Sequence, residues 1–390
     1  MQTLIQKIST LLVNAPYQNT GLLGGLSGET LFFFESAAFS PENKSIAEYK
    51  LELLSQKLQE DEFAMTYCTG LAGVGWLFEY LNRKDFIKGD TNELLSEFDE
   101  VLPIALKRFM RYHNHDFLHG GTGVAIYFLQ RSKKKPELLS VLNSFIADLH
   151  TIAETMPDGT TAWRSVINWE TGKMGYNLAL SHGMSATIWL LTQLSEIKAL
   201  NQFLIQQLLY NSIEFLLHQE LNRAHYNCCF PSTRLIDNDE VQQSRLGWCY
   251  GDLGNATTLY QAGKIVNRQD WIDKALEVLS YAAVKRRNLT QNMVHDAGIC
   301  HGTAGIGHIF YRMWWNTRLP EFKKAADYWF EQTLKMARFE DGLAGFKAFH
   351  FKNGWENEYG LLEGVAGIGL ALLTYYYEVE PTWDECLLLS

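Results

Sequence analysis

The chain of 390 residues is 47% hydrophobic and 13% aromatic, so it can bury a large core. Its formal charge of -10 disfavours a general nucleic-acid or anionic-membrane binder, because both rely on clustered positive charge. Six cysteines in a chain of this length are too sparse for a disulfide scaffold, and we expect them to be core residues, metal ligands or reactive thiols in a reducing compartment.

The N-terminal segment, MQTLIQKISTLLVNAPYQ, has apolar residues at helical spacing around Lys7. It lacks the continuous apolar stretch and cleavage site of a signal peptide. The most apolar later segments contain His, Asn, Gln or Ser within any window of roughly 18 to 20 residues, which argues against a membrane span. We therefore expect a cytoplasmic protein without a transmembrane segment.

A short glycine motif that opens an apolar, helix-like run recurs along the chain. Its seven copies are GGLSGETLFFF, TGLAGVGWLFEYL, HGGTGVAIYFL, HGMSATIWLL, YGDLGNATTLY, HGTAGIGHIFY and EGVAGIGLALLTYY. The aligned first glycines are Gly25, Gly70, Gly120, Gly183, Gly251, Gly302 and Gly364. Gaps of about 45 to 70 residues leave room for two helices and their loops in each repeat.

Two kinds of helix are predicted in each repeat. The runs after the glycines are apolar nearly all round, as from Val124 to Leu129, which is typical of a helix buried on every side. The segments between the copies are one-sided, as from Leu94 to Phe109. We predict an all-α fold in one domain spanning residues 1–390, an α/α toroid (a double α-barrel) of seven helical hairpins whose inner helices start at glycines.

The residues just before the repeat glycines should lie together at one end of the ring. They are Gly24, Thr69, His119, His182, Tyr250, His301 and Glu363, and one place earlier the fifth and sixth copies carry Cys249 and Cys300. Because consecutive repeats are neighbours, we expect Cys249, Cys300 and His301 to meet. Three nitrogen and sulfur ligands with one open position suit a catalytic zinc, and two thiolates leave that zinc formally neutral and suited to a thiol.

Simpler interpretations remain for several residues. A buried Cys beside a helix start is commonly core, and a His there is commonly a cap. Cys228 and Cys229 fall outside the repeat register, and we expect them to be structural. His113 and His115 are expected in a loop, whereas Asp116, four places before Gly120, should lie near the same end of the ring as the ligands.

The motifs GWCYG, CHG and SHG, together with the seven-fold glycine repeat, resemble the lanthionine synthetase C family from Gly24 to about Gly369. These cyclases make thioether rings in dehydrated peptides, and the resemblance implies an α/α toroid. It also implies that Cys249, Cys300 and His301 hold one Zn²⁺ per chain. The residues that match the family's catalytic groups are His182 as acid/base, Asp116 as catalytic aspartate, and Arg245 and Tyr250 beside the metal.

The resemblance has departures and alternatives. Asp252, Leu253 and Gly254 follow the WCYG motif where many members have a small residue, Pro and Gly, so the turn there is expected to differ. Repeats two and three leave no room for an inserted accessory domain. Asp116 could instead cap a helix, Arg245 could pair with an acidic loop, and Tyr250 could simply pack.

The leading functional hypothesis is intramolecular Michael addition in a dehydrated precursor peptide that a separate dehydratase supplies, with no redox cofactor or nucleotide. A related activity is the addition of glutathione to dehydroamino acids. Zinc-dependent prenyl transfer would need a diphosphate-binding basic cluster, which we do not find in register with the ligands. A third class is a non-catalytic adaptor that keeps zinc and binds thiol peptides.

Overall fold

The computed structural model describes residues 1–60, 63–168, 170–236 and 240–390. Helices of eleven residues or more alternate along the described chain between an inner and an outer ring. The inner helices are α2 (Leu26–Ser36), α4 (Leu71–Arg83), α6 (Gly121–Arg131), α8 (Met184–Ser195), α10 (Asp252–Val266), α12 (Thr303–Thr317) and α14 (Val365–Tyr376). The outer helices are α1 (Gln2–Val13), α3 (Asn43–Glu60), α5 (Ser96–Arg111), α7 (Leu139–Thr151), α9 (Gln202–Leu217), α11 (Gln269–Lys285) and α13 (Pro320–Met336). Short helices cover Thr91–Leu94, Pro136–Leu138 and Thr382–Leu387.

The inner helices form a closed ring. Each one contacts the next, and α14 contacts α2. Their burial follows their composition, because α6 is buried at every position from Gly121 to Arg131. Every predicted repeat glycine is the N-cap residue of its inner helix. The predicted seven-fold α/α toroid is therefore confirmed.

The outer helices are one-sided, as predicted. In α11 the buried residues include Trp271, Ala275, Val278 and Ala282, at the spacing of one helix face. In α5 the side chain of Ile104 is 72% exposed. The outer ring thus covers the inner ring with one apolar face and presents the other to solvent. No helix among the described residues combines the length and apolarity needed to cross a membrane.

Short antiparallel strands, which the sequence pattern did not predict, lie in the loops that lead to inner helices. They are β1 (Glu154–Thr155), β2 (Thr161–Ala162), β3 (Arg164–Asn168), β4 (Lys173–Asn177), β5 (Thr233–Leu235), β6 (Ala348–His350) and β7 (Gly354–Glu356). Strand β1 pairs with β2, β6 pairs with β7, and the third sheet has the order β3-β4-β5. The tips of the β3–β4 and β6–β7 hairpins meet, and there Lys352 Nζ lies 3.1 Å from Glu170 Oε1.

Backbone hydrogen bonds join neighbouring repeats two residues before the glycines. Six of these bonds run from a backbone N–H to a carbonyl of another repeat: Leu23 to Cys68 (3.0 Å), Cys68 to Leu118 (3.0 Å), Ser181 to Cys249 (3.3 Å), Cys249 to Cys300 (3.1 Å), Cys300 to Leu362 (2.8 Å) and Leu362 to Leu23 (2.7 Å). Within the described residues, the remaining junction, between the third and fourth repeats, is bridged instead by the side chains of Asp116 and His182. This backbone ring fixes the register that places the candidate ligands side by side.

The C-terminal segment enters the ring from the end at which the inner helices finish. The indole N–H of Trp248 donates to the carbonyl of Leu387 at 2.8 Å, and Gln261 Nε2 donates to that of Leu388 at 2.9 Å. Asp384 is fully buried between His308 and Arg312 of α12. This end of the ring is therefore filled by the chain itself.

Candidate metal and acid-base site

Cys249 and Cys300 are brought together by the backbone ring. The N–H groups of Trp248 and Cys249 both donate to the carbonyl of Cys300, at 3.0 and 3.1 Å. Gly247 permits this approach, because a Cβ there would lie 3.1 Å from the Cα of His301. The ligand atoms of Cys249, Cys300 and His301 all lie within 4.8 Å of one another, as the register predicts.

The two buried thiols behave as a pair that shares one proton. A hydrogen bond from Cys300 holds the pKa of Cys249 well below the usual thiol range, with further contributions from His301 and Arg245. The same bond and burial raise the pKa of Cys300. A thiolate is thus already favoured at this position, and thiolates are the form that binds metal. Two sulfurs and one imidazole nitrogen are a donor set that fits zinc with a fourth position open.

A buried carboxylate orients His301. Asp296 Oδ2 lies 3.5 Å from His301 Nε2 and accepts the N–H of Phe349 at 2.9 Å, while Oδ1 accepts the N–H of Gly298 at 3.0 Å. Burial acts to raise the pKa of Asp296, but His301 and these backbone donors lower it overall. A carboxylate on one imidazole nitrogen leaves Nδ1 for a metal, which is the usual arrangement behind a histidine ligand. Sequence analysis missed Asp296, although it stands in the HDAGICHG segment.

His182 and Asp116 form a second pair at the same end of the ring. His182 Nδ1 lies 2.7 Å from Asp116 Oδ2, and Asp116 Oδ1 accepts the backbone N–H of His119 at 2.7 Å. Burial acts to lower the pKa of His182, but the bond to Asp116 raises it overall. Burial acts to raise the pKa of Asp116, but His182 and His119 together lower it overall. The carboxylate therefore holds a loop N–H with one oxygen and the histidine with the other, and it does not cap the inner helix that follows Gly120.

Tyr250 and Arg245 flank the thiols. The ring of Tyr250 lies 6.2 Å from that of His182. Burial, and then the neighbouring Cys249, raise the pKa of Tyr250 to about 12, while Asn177 bonds its hydroxyl. The guanidinium of Arg245 lies 5.7 Å from the centre of the Phe351 ring, at the tip of the β6–β7 hairpin. Its charge favours the thiolate form of both cysteines.

The turn after Cys249 differs from the corresponding turns of the other six repeats. Gly251 has φ of +90°, whereas the remaining N-cap glycines are extended. The buried Asp252 that follows accepts the N–H groups of Cys229 and Phe230, both at 2.9 Å, and the guanidinium of Arg286 at 2.8 Å. Asp252 is thus a structural anchor for the loop that carries Cys228 and Cys229, both of which are buried and outside the ligand group.

Cys68 occupies the same register as Cys249 and Cys300, three repeats away from either around the ring, and was not singled out from the sequence. Its thiol is buried and lies outside the ligand group. Burial, with Glu363 and Asp116 nearby, raises its pKa to about 12. Register alone therefore does not produce a thiolate.

The remaining histidines of the loop segments are dispersed. His113 lies in a loop with φ of 57°, as expected, while the neighbouring His115 is buried and its Nε2 has no hydrogen-bond partner among the described residues. A second group of close ligand atoms comprises His350, Glu356 and Glu358 on and beside the β6–β7 hairpin.

A protein family, a relative and a solved structure resemble this chain. The family described as "Lanthionine synthetase C-like protein" matches residues 16–388. The nisin biosynthesis protein NisC of Lactococcus lactis subsp. lactis is 27% identical over 151 residues, which cover 38% of this chain and 32% of NisC, so the match spans about a third of that relative. A solved structure of nisin cyclase has a TM-score of 0.75 at 18% identity, covering 100% of this chain and 97% of the other, and shares its fold.

Proposed function

Because the chain belongs to the lanthionine synthetase C-like family, we propose that it is a zinc-dependent lanthipeptide cyclase. It forms lanthionine and methyllanthionine rings by Michael addition of peptide cysteine thiolates to dehydroalanine and dehydrobutyrine. The observation that carries this proposal is the close group of Cys249, Cys300 and His301 beside the His182–Asp116 pair.

Cys249, Cys300 and His301 would hold one zinc ion per chain, with Asp296 fixing the ring of His301. When bound, the zinc supplies an open position where a peptide thiol, with an ordinary pKa of about 8.5, is held ionised at neutral pH. The protein residues around that position then orient the acceptor and manage the proton.

His182 is the proposed proton donor. Ring closure forms one C–S bond at the β-carbon and one C–H bond at the α-carbon, while the S–H bond and the C=C bond are lost. Asp116 holds Nδ1 of His182 and raises its pKa, so the imidazolium form is stabilised and Nε2 can present its proton. A positioned acid of this kind contributes roughly 10²–10⁴-fold to a rate.

Arg245 and Tyr250 are proposed to stabilise the charge that develops on the substrate carbonyl. Attack at the β-carbon moves electrons onto that oxygen as an enolate, and a guanidinium is a strong donor to such an oxygen. Tyr250 keeps its proton, because its pKa is about 12, and its hydroxyl remains a donor beside His182.

We extend the proposal to the partners and surroundings of the enzyme. Residues 1–390 act as one catalytic domain, the substrate is a dehydrated precursor peptide, and a separate dehydratase supplies it. All six cysteines are unpaired, which supports a reducing cytoplasmic location.

The direct test is incubation of the zinc-loaded protein with a dehydrated, cysteine-containing peptide, followed by thiol alkylation and mass spectrometry. Cyclisation leaves the peptide mass unchanged but removes one alkylation site for each ring. A parallel reaction contains glutathione, whose mass appears on the peptide if the activity is instead glutathione addition. Thiols that persist in both reactions would contradict the enzyme assignment and favour a thiol-peptide adaptor.

A further inference from the structure

Three aromatic side chains at the same register form a row at the site. The residues directly before the glycines of repeats three, four and five are His119, His182 and Tyr250. The rings of His119 and His182 are stacked, with centroids 5.9 Å apart and an interplanar angle of 21°. The ring of Tyr250 lies 6.2 Å from His182 on the way to the Cys249 thiol. His119 is exposed and is therefore the solvent end of the row.

One carboxylate fixes both histidines. Asp116 Oδ2 holds the ring of His182, and Oδ1 holds the backbone N–H of His119. The stacked geometry is thus set by the fold and does not depend on a substrate. In the row, only His119 has its ring free of a hydrogen bond to the protein within the described residues, so this ring can exchange protons with water.

The charges around the two rings favour one direction of proton movement. Partial desolvation by the surrounding protein, and the neighbouring His182, lower the pKa of His119, although Asp116 acts to raise it. The pKa of His182 is raised by its direct bond to the same carboxylate. A proton that enters at His119 is therefore more stable on His182.

The proposed reaction requires such an entry. Each ring that closes takes one proton from His182 to the α-carbon, and one proton leaves the peptide thiol when it ionises. The two protons balance, but His182 is left neutral after every closure. His182 is 31% exposed without substrate, and a bound peptide would cover it further, whereas His119 lies toward the solvent.

We propose that His119 is a proton relay that recharges His182 from solvent, through water bridging the nitrogens of the two rings, after each ring closure. The inference rests on the proposed role of His182 in cyclisation. His119 acts through His182 and does not touch the reacting atoms. Its loss should therefore slow repeated turnover and leave the first turnover intact.

The test is rapid-quench kinetics of His119→Gln with a dehydrated peptide that forms a single ring. Enzyme mixed at a pH where His182 is protonated should close about one ring per active site at the wild-type rate, and then turn over roughly tenfold or more slowly, in the range of lost acid-base assistance. Added imidazole should restore the slow phase. His225→Gln, at an exposed histidine elsewhere, is the matched control and should behave as wild type.

Each other outcome overturns the relay. Equal steady-state rates for His119→Gln and wild type would show that water reaches His182 directly. A lower rate already in the first turnover, without imidazole rescue, would show that His119 supports the geometry of the site. Zinc content and circular dichroism of the variant confirm that it is folded. Failure of the proposed function itself is distinct, because the wild type would then leave the peptide thiol unreacted.

Discussion

Two histidine–aspartate pairs lie at opposite ends of the inner ring. His182 Nδ1 is 2.7 Å from Asp116 at the end that carries the candidate metal ligands, and His308 Nε2 is 2.8 Å from Asp384 at the end filled by the C-terminal segment. The distances are nearly the same, but the surroundings are not. The first pair has side-chain exposures of 31% and 20%, and the second has exposures of 1% and 0%.

The two pairs differ in whether a cation besides the histidine contacts the aspartate. Arg312 donates to both oxygens of Asp384, at 2.9 and 2.7 Å, so this carboxylate is already neutralised. Burial lowers the pKa of His308, and Arg312 adds to that effect. Asp116 has no such cation among its recorded partners in the described chain, and it raises the pKa of His182. The same two residue types thus form the proposed proton donor in one place and a structural contact in the other.

The test with the largest expected effect compares the loss of activity with the loss of stability when each histidine is replaced. In His182→Gln we expect cyclisation to fall by about 10²–10⁴-fold, because the proton donor is removed, with little change in thermal midpoint. In His308→Gln we expect the reverse, a lower midpoint with unchanged activity per folded molecule. Thiol alkylation and thermal unfolding measure the two quantities, and equal loss of activity in both variants would erase the distinction.

The second test removes the buried carboxylate. Asp384→Asn removes the only fully buried carboxylate among the described contacts of Arg312, and we expect a loss of about 3–5 kcal/mol in the free energy of unfolding. The matched Asp116→Asn variant keeps its site partly solvated, and we expect a much smaller stability loss. Chemical denaturation of both variants measures the difference. Similar losses at the two ends would argue that Asp116 is structural too.

A smaller effect concerns the pH dependence of activity. The proposed mechanism requires protonated His182, so kcat/KM should fall as pH rises through the raised pKa of that group. In Asp116→Asn the pKa returns toward its ordinary value, and we expect this alkaline limb to move to lower pH. The pH profile of the residual activity measures the shift. An unmoved limb in the variant would assign the titration to another group.

The smallest effect concerns the pH dependence of stability. Because the pKa of His308 is lowered by folding, the unfolded chain binds more protons, and the stability contribution is complete above pH 6.5 and is lost as pH falls toward the folded pKa. His182 has the opposite sign, since its raised pKa favours folding at lower pH. Between pH 7.5 and 5.5 we expect His308→Gln to lose less stability than wild type, because the variant lacks this titrating group. Denaturant titrations at the two pH values measure this, and a larger loss in the variant would contradict it.

The sequence pattern indicated one of the two histidine–aspartate pairs and not the other, for a physical reason. His182 and the ligands Cys249, Cys300 and His301 follow the register of a repeat, and a closed ring makes equal registers into neighbours. The C-terminal segment belongs to no repeat, so nothing in the pattern indicates that Asp384 returns to His308. Asp296 was missed because its role depends on a loop contact with Phe349, whose strand has no periodic signal.

The α/α toroid itself was predictable because apolar periodicity and glycine spacing are local and repeated. The short strands were not, since each spans only two to five residues, too few for an alternating pattern, and β5 pairs with the distant strand β4. The repeat register can also suggest a ligand where there is none. Cys68 stands at the same repeat position as the candidate ligands Cys249 and Cys300, but among the described residues it lacks a neighbouring thiol and histidine.

The most direct measurement is zinc content by elemental mass spectrometry for wild type, Cys249→Ser, Cys300→Ser and Cys68→Ser, each checked for folding by circular dichroism. We predict about one zinc per chain in the wild type and in Cys68→Ser, and none in the other two, because only Cys249 and Cys300 belong to the ligand group. Zinc retained by folded Cys249→Ser and Cys300→Ser, or absent from wild type after zinc is added, would contradict a catalytic metal at this site.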